Sequence, residues 1–257
     1  MDNQYLKNIK SGIRVQIITS QHKLSTGIVE EIAARNQFHK DGIMVRLKNG
    51  DVGRVQKILL TEQQQNDLDA HELKKILEKG ETFNTEFKSE ALWSTTYNPQ
   101  QLKEAKSFEI REYGTRASKV IIAKSLAAFL NSEGGNLIIG VKEKKDEETF
   151  EIVGVSEDLE KLRSKTKDDY RRIIIDEIIR TFLPPKIFNH LNEYIEMKFV
   201  DIEDKTLLWI KIKPSDSRVF LNINNKDVFM IRVDSENRTL EGEKLVDYCL
   251  KKWGARN

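Results

Sequence analysis

The sequence has little of what secreted and membrane proteins depend on. Its 257 residues include one cysteine, Cys249, so no disulfide can form within the chain. A single cysteine fits a reducing compartment rather than a disulfide-stabilised secreted scaffold. No apolar run approaches the roughly 20 residues that a membrane-spanning helix needs. The first ten residues, MDNQYLKNIK, lack the apolar segment of a signal peptide. We therefore expect a cytoplasmic protein with no membrane contact.

Two well-known site motifs are also missing. The chain contains no G-x-x-x-x-G-K-[ST], the sequence of the phosphate-binding loop of many ATPases. The segment HELKK at residues 71–75 begins like the zinc-protease motif HExxH but lacks the second histidine. The sequence thus gives no support to ATP binding through such a loop, or to a zinc protease.

Charge is distributed unevenly along the chain. Residues 1–60 contain ten lysines and arginines and five acidic residues, a net charge of +5. The remaining residues contain 33 basic and 36 acidic residues, a net charge of −3. Nucleic-acid binding by that acidic part would require local basic patches or metal ions.

Residues 1–60 show the alternation of short β-strands. Asn49-Gly50-Asp51 separates two of these segments and is typical of a hairpin turn. Four or five short strands with glycine turns predict a small closed barrel, because closure leaves no unpaired edge. The alternating segments are residues 13–19, 27–32, 42–47 and 52–58.

The barrel segment resembles a known family. GIRVQIIT, STGIVEEI and FHKDGIMVRLKNGDVGRVQKI are similar to the YwbE-like family of small bacterial proteins over most of residues 9–60. The glycine placement also resembles small SH3-like nucleic-acid-binding modules. The resemblance implies an RNA or ribosome contact, with cations touching phosphates. Ordinary solvated strand faces explain the same cations equally well. These candidates are Arg14, Lys40, Arg46, Lys48, Arg54 and Lys57.

The stretch SKVIIAKSLAAFLNSEGGNLIIGV, residues 118–141, organises the rest of the chain. Its apolar residues fall at helical spacing up to Asn131. Gly134-Gly135 then provides the backbone freedom that ends a helix, and residues 136–141 read as a buried strand. We predict a barrel at 1–60, a linker at 61–71 and a mixed α/β domain at 72–257, an α+β chain in all.

Other segments of the larger domain show regular patterns. Helical spacing predicts helices at 71–79, 169–183 and 241–253. Hairpins are predicted from strands at 136–141 with 150–155, 194–201 with 206–213, and 219–222 with 228–233. Residues 90–117 lack periodicity and mix aromatic and basic residues, a composition that suits base stacking and phosphate contact.

One short strand carries candidate chemistry. Residues 85–88, Thr-Glu-Phe-Lys, place Glu86 and Lys88 on one face and Phe87 on the other. Glu81 precedes this strand by four residues. The residues alone favour a surface ion pair between Glu86 and Lys88, of small energetic value.

Three segments together resemble the Schlafen AlbA-type domain family. They are GETFNTEFK at 80–88, AAFLNSEGGNLIIGV at 127–141 and VFMIRVDSENRTLEGE at 228–243. Over residues 72–253 the resemblance implies an AlbA-like nucleic-acid-binding fold. It also implies a metal-dependent endoribonuclease acting on structured RNA such as tRNA or rRNA. Two such lobes close around RNA in vertebrate relatives, so a single lobe implies a homodimer.

The resemblance assigns roles to particular residues. Three carboxylates, Glu81, Glu86 and Glu143, would hold Mg²⁺ or Mn²⁺, which activates water and stabilises the scissile phosphate. Lys88 would contact a phosphate oxygen. Glu143 stands where the nuclease members have Asp, with Asp146 as an alternative. The family's zinc site is absent, since one cysteine and four scattered histidines cannot form it. Predicted nucleic-acid contacts are Arg54, Arg111, Arg116, Lys142, Arg171 and Arg172.

Two other functions remain open at this stage. The chain would be a non-catalytic RNA- or DNA-binding regulator if its carboxylates do not converge on a metal. It would be an assembly or ribosome-associated factor if the N-terminal barrel determines its role. Convergence of Glu81, Glu86 and Glu143 is the observation that separates the nuclease from the regulator.

Overall fold

A computed structural model describes residues 3–60, 62–144 and 149–254 of the chain. The chain divides into two compact units, residues 1–69 and residues 70–257. None of the described helices is both long and apolar enough to cross a membrane.

The first unit is a closed four-stranded barrel, as the sequence predicts. Its strands alternate buried and solvent-facing residues, and Val15, Ile17, Val45 and Val55 are fully buried in its core. Strand β1 pairs with both β2 and β4, which closes the sheet on itself. The strands are β1 Arg14–Thr19, β2 Leu24–Ile32, β3 Met44–Leu47 and β4 Val52–Leu59.

Helix α1 Glu62–Lys79 begins in the first unit and ends in the second. The described residues of the second unit also form nine strands and several shorter or longer helices. The strands are β5 Thr85–Lys88, β6 Gly135–Ile139, β7 Val141–Lys144, β8 Thr149–Ile152, β9 Ile195–Ile202, β10 Lys205–Ile212, β11 Phe220–Ile223, β12 Lys226–Val233 and β13 Glu236–Thr239. The helices are α2 Pro99–Glu104, α3 Phe108–Tyr113, α4 Ala117–Asn131, α5 Ser156–Glu160, α6 Lys167–Ile173, α7 Arg180–Phe182, α8 Pro185–Asn189, α9 Leu191–Tyr194 and α10 Gly242–Trp253.

A four-stranded sheet of order β5-β6-β10-β9 forms the centre of this unit. Strands β5 and β6 are parallel, and the other neighbours are antiparallel. Leu137 and Ile139 of β6 pack into the larger hydrophobic core, while Ile138 packs into a second core on the other face. Burial on both faces explains why three successive residues of β6, Leu137, Ile138 and Ile139, are apolar, as the sequence suggests.

Helix α4 confirms the predicted helix at the centre of the domain. Twelve of its fifteen residues are buried, and it packs against both β6 and β12. The Gly-Gly turn that follows has a structural reason. A Cβ on Gly135 would lie 2.6 Å from the carbonyl oxygen of Asn84, closer than packing allows.

The predicted strand at 136–141 is wrong in one respect, because a break at Gly140 divides it into the end of β6 and the start of β7. Its φ is +106°, and a Cβ there would lie 2.7 Å from Leu207. The break turns the following residues away from the sheet, so β7 pairs with β8 in a separate hairpin. Strand β6 instead pairs with β5 and β10.

Three other segments differ from their sequence patterns. Helix α1 begins at Glu62, so most of the segment predicted as a linker is helical. The predicted helix at 169–183 contains a π-helical segment at residues 174–179 between α6 and α7. The segment 90–117, which lacks periodicity, contains α2 and α3. Its first residues are held by Asp158, whose carboxylate accepts the amides of Ala91 and Leu92 at 2.6 and 3.0 Å.

A three-stranded sheet of order β11-β12-β13, which we call the outer sheet, is bonded to Asn131 at the end of α4. The bonds go to β12 and to the residue just before β11. The side-chain amide of Asn131 donates to the carbonyls of Val219 and Met230, at 2.7 and 2.9 Å. Its side-chain oxygen accepts the amide of Val219 at 2.9 Å. Asn131 is fully buried, so each of these bonds satisfies a group that water cannot reach.

We predict that Asn131→Ala lowers the free energy of unfolding by roughly 3 kcal/mol, because it leaves three buried backbone groups without partners. Chemical denaturation followed by circular dichroism measures the change. Asn222→Ala is the matched control, since Asn222 lies exposed on β11 and bonds only Asp227 among the contacts described. A loss in Asn131→Ala no larger than that of the control would contradict this role.

Candidate functional site

Glu86 is the centre of a buried polar cluster at the start of the sheet. It lies on β5 and only 4% of its surface is exposed. One carboxylate oxygen accepts Ser125 Oγ at 2.8 Å and Lys88 Nζ at 2.6 Å. The other accepts Arg232 Nη1, and the side-chain amide of Asn237 donates to both oxygens at 3.1 and 2.8 Å. Both carboxylate oxygens of Glu86 therefore already accept hydrogen bonds from protein side chains.

Arg232, on β12, is the buried charge partner of Glu86, and Lys88 is the second, partly exposed one. Its side chain is 1% exposed. The guanidinium also donates to the backbone carbonyls of Phe83, Thr82 and Thr85, at 3.2, 3.0 and 2.9 Å. These bonds connect β12 to the loop that precedes β5. Arg232 thus positions Glu86 and the backbone around it at the same time.

Glu81 lies beside this cluster and contacts the same strand. Its Oε1 accepts the backbone amide of Phe87 at 2.6 Å. The side chain is half-buried and interacts electrostatically with the charged groups of Glu86, Lys88 and Arg232. Two carboxylates and two cations therefore balance each other within the cluster.

The two carboxylates have opposite pKa shifts. Burial raises the pKa of Glu81 above its ordinary value of 4.5, and the Phe87 amide and Lys88 offset this only in part. Burial by itself would also raise the pKa of Glu86. For Glu86, however, the charges and hydrogen bonds of Lys88 and Arg232 outweigh burial and hold its pKa below 4.5. Glu86 is therefore the carboxylate that stays ionised to lower pH.

The predicted metal site does not assemble in this arrangement. Among the described residues, no three His, Cys, Asp or Glu side chains are grouped closely enough to hold a metal ion. Glu86 accepts five hydrogen bonds, which use the roughly four lone-pair positions of a carboxylate. Glu143 lies exposed on β7, across from Phe150. Asp146 lies outside the described residues. The side chains present therefore do not fit Mg²⁺ or Mn²⁺ in this conformation.

The predicted nucleic-acid contacts lie on separate elements. Lys142 is exposed on β7 and Arg111 is exposed on α3. Arg116 donates to the side-chain oxygen of Asn224 at 2.6 Å, and Arg171 donates to the carbonyl of Met197 at 3.0 Å. These acceptors are uncharged, so these bonds do not compensate the positive charge of either arginine.

The other two predicted contacts, Arg172 and Arg54, differ in whether their bonding partner is charged. Arg172 forms an ion pair with Asp169 on α6, and the carboxylate compensates its positive charge. In the barrel, Arg54 donates to the carbonyl of Gly42 at 3.0 Å and keeps its charge. The structure thus ranks Arg172 below the other arginines as a phosphate contact.

Sequence reasoning missed three residues of the cluster. Ser125, Arg232 and Asn237 all contact Glu86, although they lie on α4, β12 and β13. One signal could have found Arg232, because it is a charged residue inside the apolar run Phe229-Met230-Ile231 and Val233. A charge at such a position is retained when a partner of opposite sign is buried with it.

All residues of the polar cluster lie within the range that a family model matches. The family model described as Schlafen, AlbA_2 matches residues 81–241, more than half of the chain. The chain belongs to the Schlafen AlbA_2 family. We call residues 81–241 the Schlafen AlbA domain. The expected α+β architecture, with a small barrel before an AlbA-like domain, is therefore confirmed.

The barrel matches a second family. A model described as an uncharacterized conserved protein (DUF2196) covers residues 2–58. The uncharacterized protein YwbE of Bacillus subtilis (strain 168) is 37% identical over 65 residues, which are 24% of this chain and 100% of YwbE. The predicted YwbE-like resemblance is confirmed, and it carries no assigned activity.

Solved structures show looser similarity. The DIP2311 protein from Corynebacterium diphtheriae has a TM-score of 0.43 and 14% identity over 76% of this chain. The chain spans about a third, 34%, of that protein's length. The N-terminal domain of a RecG-related protein from Nitrosomonas europaea has a TM-score of 0.37 and 15% identity, with coverage of 68% of this chain and 95% of that domain. Neither similarity bears on function.

We predict that Arg232→Met lowers the free energy of unfolding of the Schlafen AlbA domain by about 3 kcal/mol or more, because it leaves Glu86 without its buried cationic partner. The double variant Glu86→Leu with Arg232→Met recovers part of this loss in urea denaturation. Arg238→Met is the matched control, since the Arg238–Glu236 pair is exposed and removing it costs less than about 1 kcal/mol. Equal losses in Arg232→Met and Arg238→Met would contradict a buried pair.

The opposite pKa shifts of Glu81 and Glu86 predict opposite effects of pH. The folded pKa of Glu86 lies below 4.5, so its stabilising contribution is complete above that pH and is lost as pH falls through the folded value. The folded pKa of Glu81 lies above 4.5, so its ionisation costs stability as pH rises through that value.

Two conservative variants test this difference. Glu81→Gln should raise the melting temperature at neutral pH, and the gain should vanish in acid, where Glu81 is protonated in the folded and unfolded states alike. Glu86→Gln should lower the melting temperature at neutral pH, and its loss should shrink in acid. Scanning calorimetry across this pH range measures both. Shifts of the same sign in the two variants would exclude the assigned pKa directions.

Proposed function

We propose that this protein binds nucleic acid and that its Schlafen AlbA domain does so without cleaving it. The domain belongs to a nucleic-acid-related family. The observation that carries the proposal is the saturation of Glu86 by Arg232, Lys88, Ser125 and Asn237. A carboxylate with these donors stabilises the domain and has no lone pair left for a metal ion. The chemistry of the cluster then serves the fold that presents a binding surface.

Phosphate contacts in this proposal come from cations outside the cluster. Arg116 and Arg171 donate to neutral acceptors and keep their charge, and Lys142 and Arg111 are exposed. Arg54 plays the same part on the barrel. Each phosphate that a cation neutralises releases counterions, so binding should weaken steeply with salt.

We predict that full-length protein binds a fluorescently labelled RNA hairpin with strong salt dependence, measured by anisotropy. The variants Arg116→Gln and Arg171→Gln should each reduce the slope of log affinity against log salt by about 0.7 to 0.9, the value for one lost phosphate contact. Arg172→Gln is the matched control, because Asp169 already neutralises Arg172. Binding that is insensitive to salt, or equal slopes in all three variants, would contradict the proposal.

A metal-dependent endoribonuclease is the second candidate. One observation favours it, since Glu81, Glu86 and Lys88 lie together as the family resemblance requires. Its substrate would be structured RNA such as tRNA or rRNA, its cofactor Mg²⁺ or Mn²⁺, and its active form a homodimer. The structure sets a condition on this candidate, because Glu86 would first have to leave Arg232 and Lys88.

A cleavage assay separates the two candidates. Full-length protein is incubated with tRNA, with and without Mg²⁺ or Mn²⁺, and the products are resolved by gel electrophoresis. Intact tRNA in the presence of a measured binding affinity supports the first candidate. Metal-dependent cleavage that is lost in Glu81→Gln, a variant expected to stay folded, would support the second and overturn the first.

A further inference from the structure

Two aromatic side chains stand exposed next to each other on the barrel. Tyr5 is 42% exposed and Phe38 is 47% exposed, whereas apolar residues such as Val15 and Val45 are buried in the barrel core. Their ring centroids lie 5.0 Å apart, with the ring planes inclined by 54°. Large exposed aromatic surface in a small domain marks a contact surface more often than it contributes to stability.

The backbone places these rings side by side. Tyr5 and Phe38 form an antiparallel bridge outside the four barrel strands. The amide of Leu6 donates to the carbonyl of Gln37, and the amide of His39 donates to the carbonyl of Gln4, both at 2.9 Å. The two bonds bracket the pair, so it is a non-hydrogen-bonded pair, the register that brings side chains closest together. Both rings therefore project from the same face.

Several bonds fix this segment to the barrel. The amide of Ile43 donates to the carbonyl of Asn3 at 3.1 Å, and Asn3 Nδ2 donates to the carbonyl of Val55 at 2.5 Å. Ile9, at the other end of the segment, is buried in the barrel core. A platform held at both ends loses little conformational entropy when a ligand stacks on it.

The surroundings of the rings are positively charged. Residues 3–10 and 33–40, which flank the two rings, contain four lysines and arginines and no acidic residue. The Lys7 ammonium lies 5.6 Å from the centroid of the Tyr5 ring. The cations are Lys7, Lys10, Arg35 and Lys40, all exposed. Asp41, the next residue along the chain, lies 3.9 Å from the ring nitrogen Nδ1 of His39.

We propose that Tyr5 and Phe38 form a stacking platform for the bases of single-stranded nucleic acid, with the flanking cations contacting its phosphates. A single strand offers the two features that this surface complements, a flat π-face and a regular series of negative charges. A duplex keeps its base faces stacked internally, so the same surface would hold it only through phosphates. The platform lies outside residues 81–241, so it does not depend on the function of the Schlafen AlbA domain.

Crosslinking tests the location directly. Full-length protein is irradiated with an oligouridylate that carries 5-iodouridine, and the adducts are mapped by mass spectrometry. Adducts on Tyr5 or Phe38 are the expected result. Adducts confined to residues 81–241 would overturn the platform and leave the proposal for the Schlafen AlbA domain intact.

Affinity measurements with the same full-length protein test the energetics. Tyr5→Ala combined with Phe38→Ala should weaken binding of a short fluorescein-labelled oligouridylate by about tenfold or more, since each stacked base contributes ~1–3 kcal/mol. Tyr5→Phe should bind like the unaltered protein, and duplex binding should change little in all variants. Leu24→Ala is the matched control, because Leu24 is 57% exposed on the same barrel but lies on β2.

Two results would overturn the proposal. The first is equal binding of the oligouridylate by the double alanine variant and the unaltered protein, with circular dichroism showing that both are folded. The second is no binding of the oligouridylate by the unaltered protein at low salt.

Discussion

The buried ion pair between Glu86 and Arg232 is the interaction on which the Schlafen AlbA domain depends. Both side chains are nearly inaccessible to solvent, at 5% and 1% exposure. Burying two charges is costly unless each is paired and its remaining donors and acceptors are satisfied. Here Ser125, Lys88 and Asn237 satisfy Glu86, and backbone carbonyls around β5 satisfy Arg232. The pair thereby joins the central sheet, helix α4 and the outer sheet.

This pair gives the family's sequence motifs a physical meaning. The Glu-Phe-Lys segment supplies Glu86 and Lys88, the segment around Asn131 and Gly135 holds the outer strands and the turn, and the late segment supplies Arg232. All three are explained by the fold itself. Their presence therefore identifies the family without deciding whether the domain cleaves RNA. That decision rests on whether Glu86 can exchange its protein donors for a metal ion.

Features that arise from local periodicity could be predicted from the sequence. The barrel strands, helix α4, strand β5 and the hairpin of β9 and β10 follow from alternation, helical spacing and turn residues. The break at Gly140 could not be predicted, since it depends on contact with Leu207 across the sheet. Asn237 was equally hidden as a partner of Glu86, because it lies 151 residues away along the chain. The Tyr5–Phe38 pair likewise depends on a bridge between two segments with no strand pattern of their own.

The central claim is that Glu86 is a structural anchor rather than a metal ligand. A crystal structure of the full-length protein grown with Mn²⁺, with anomalous scattering recorded at the manganese edge, tests this most directly. The account predicts an intact Glu86–Arg232 pair and no anomalous peak at Glu86. A manganese ion coordinated by Glu81 and Glu86, with Arg232 displaced, would contradict it.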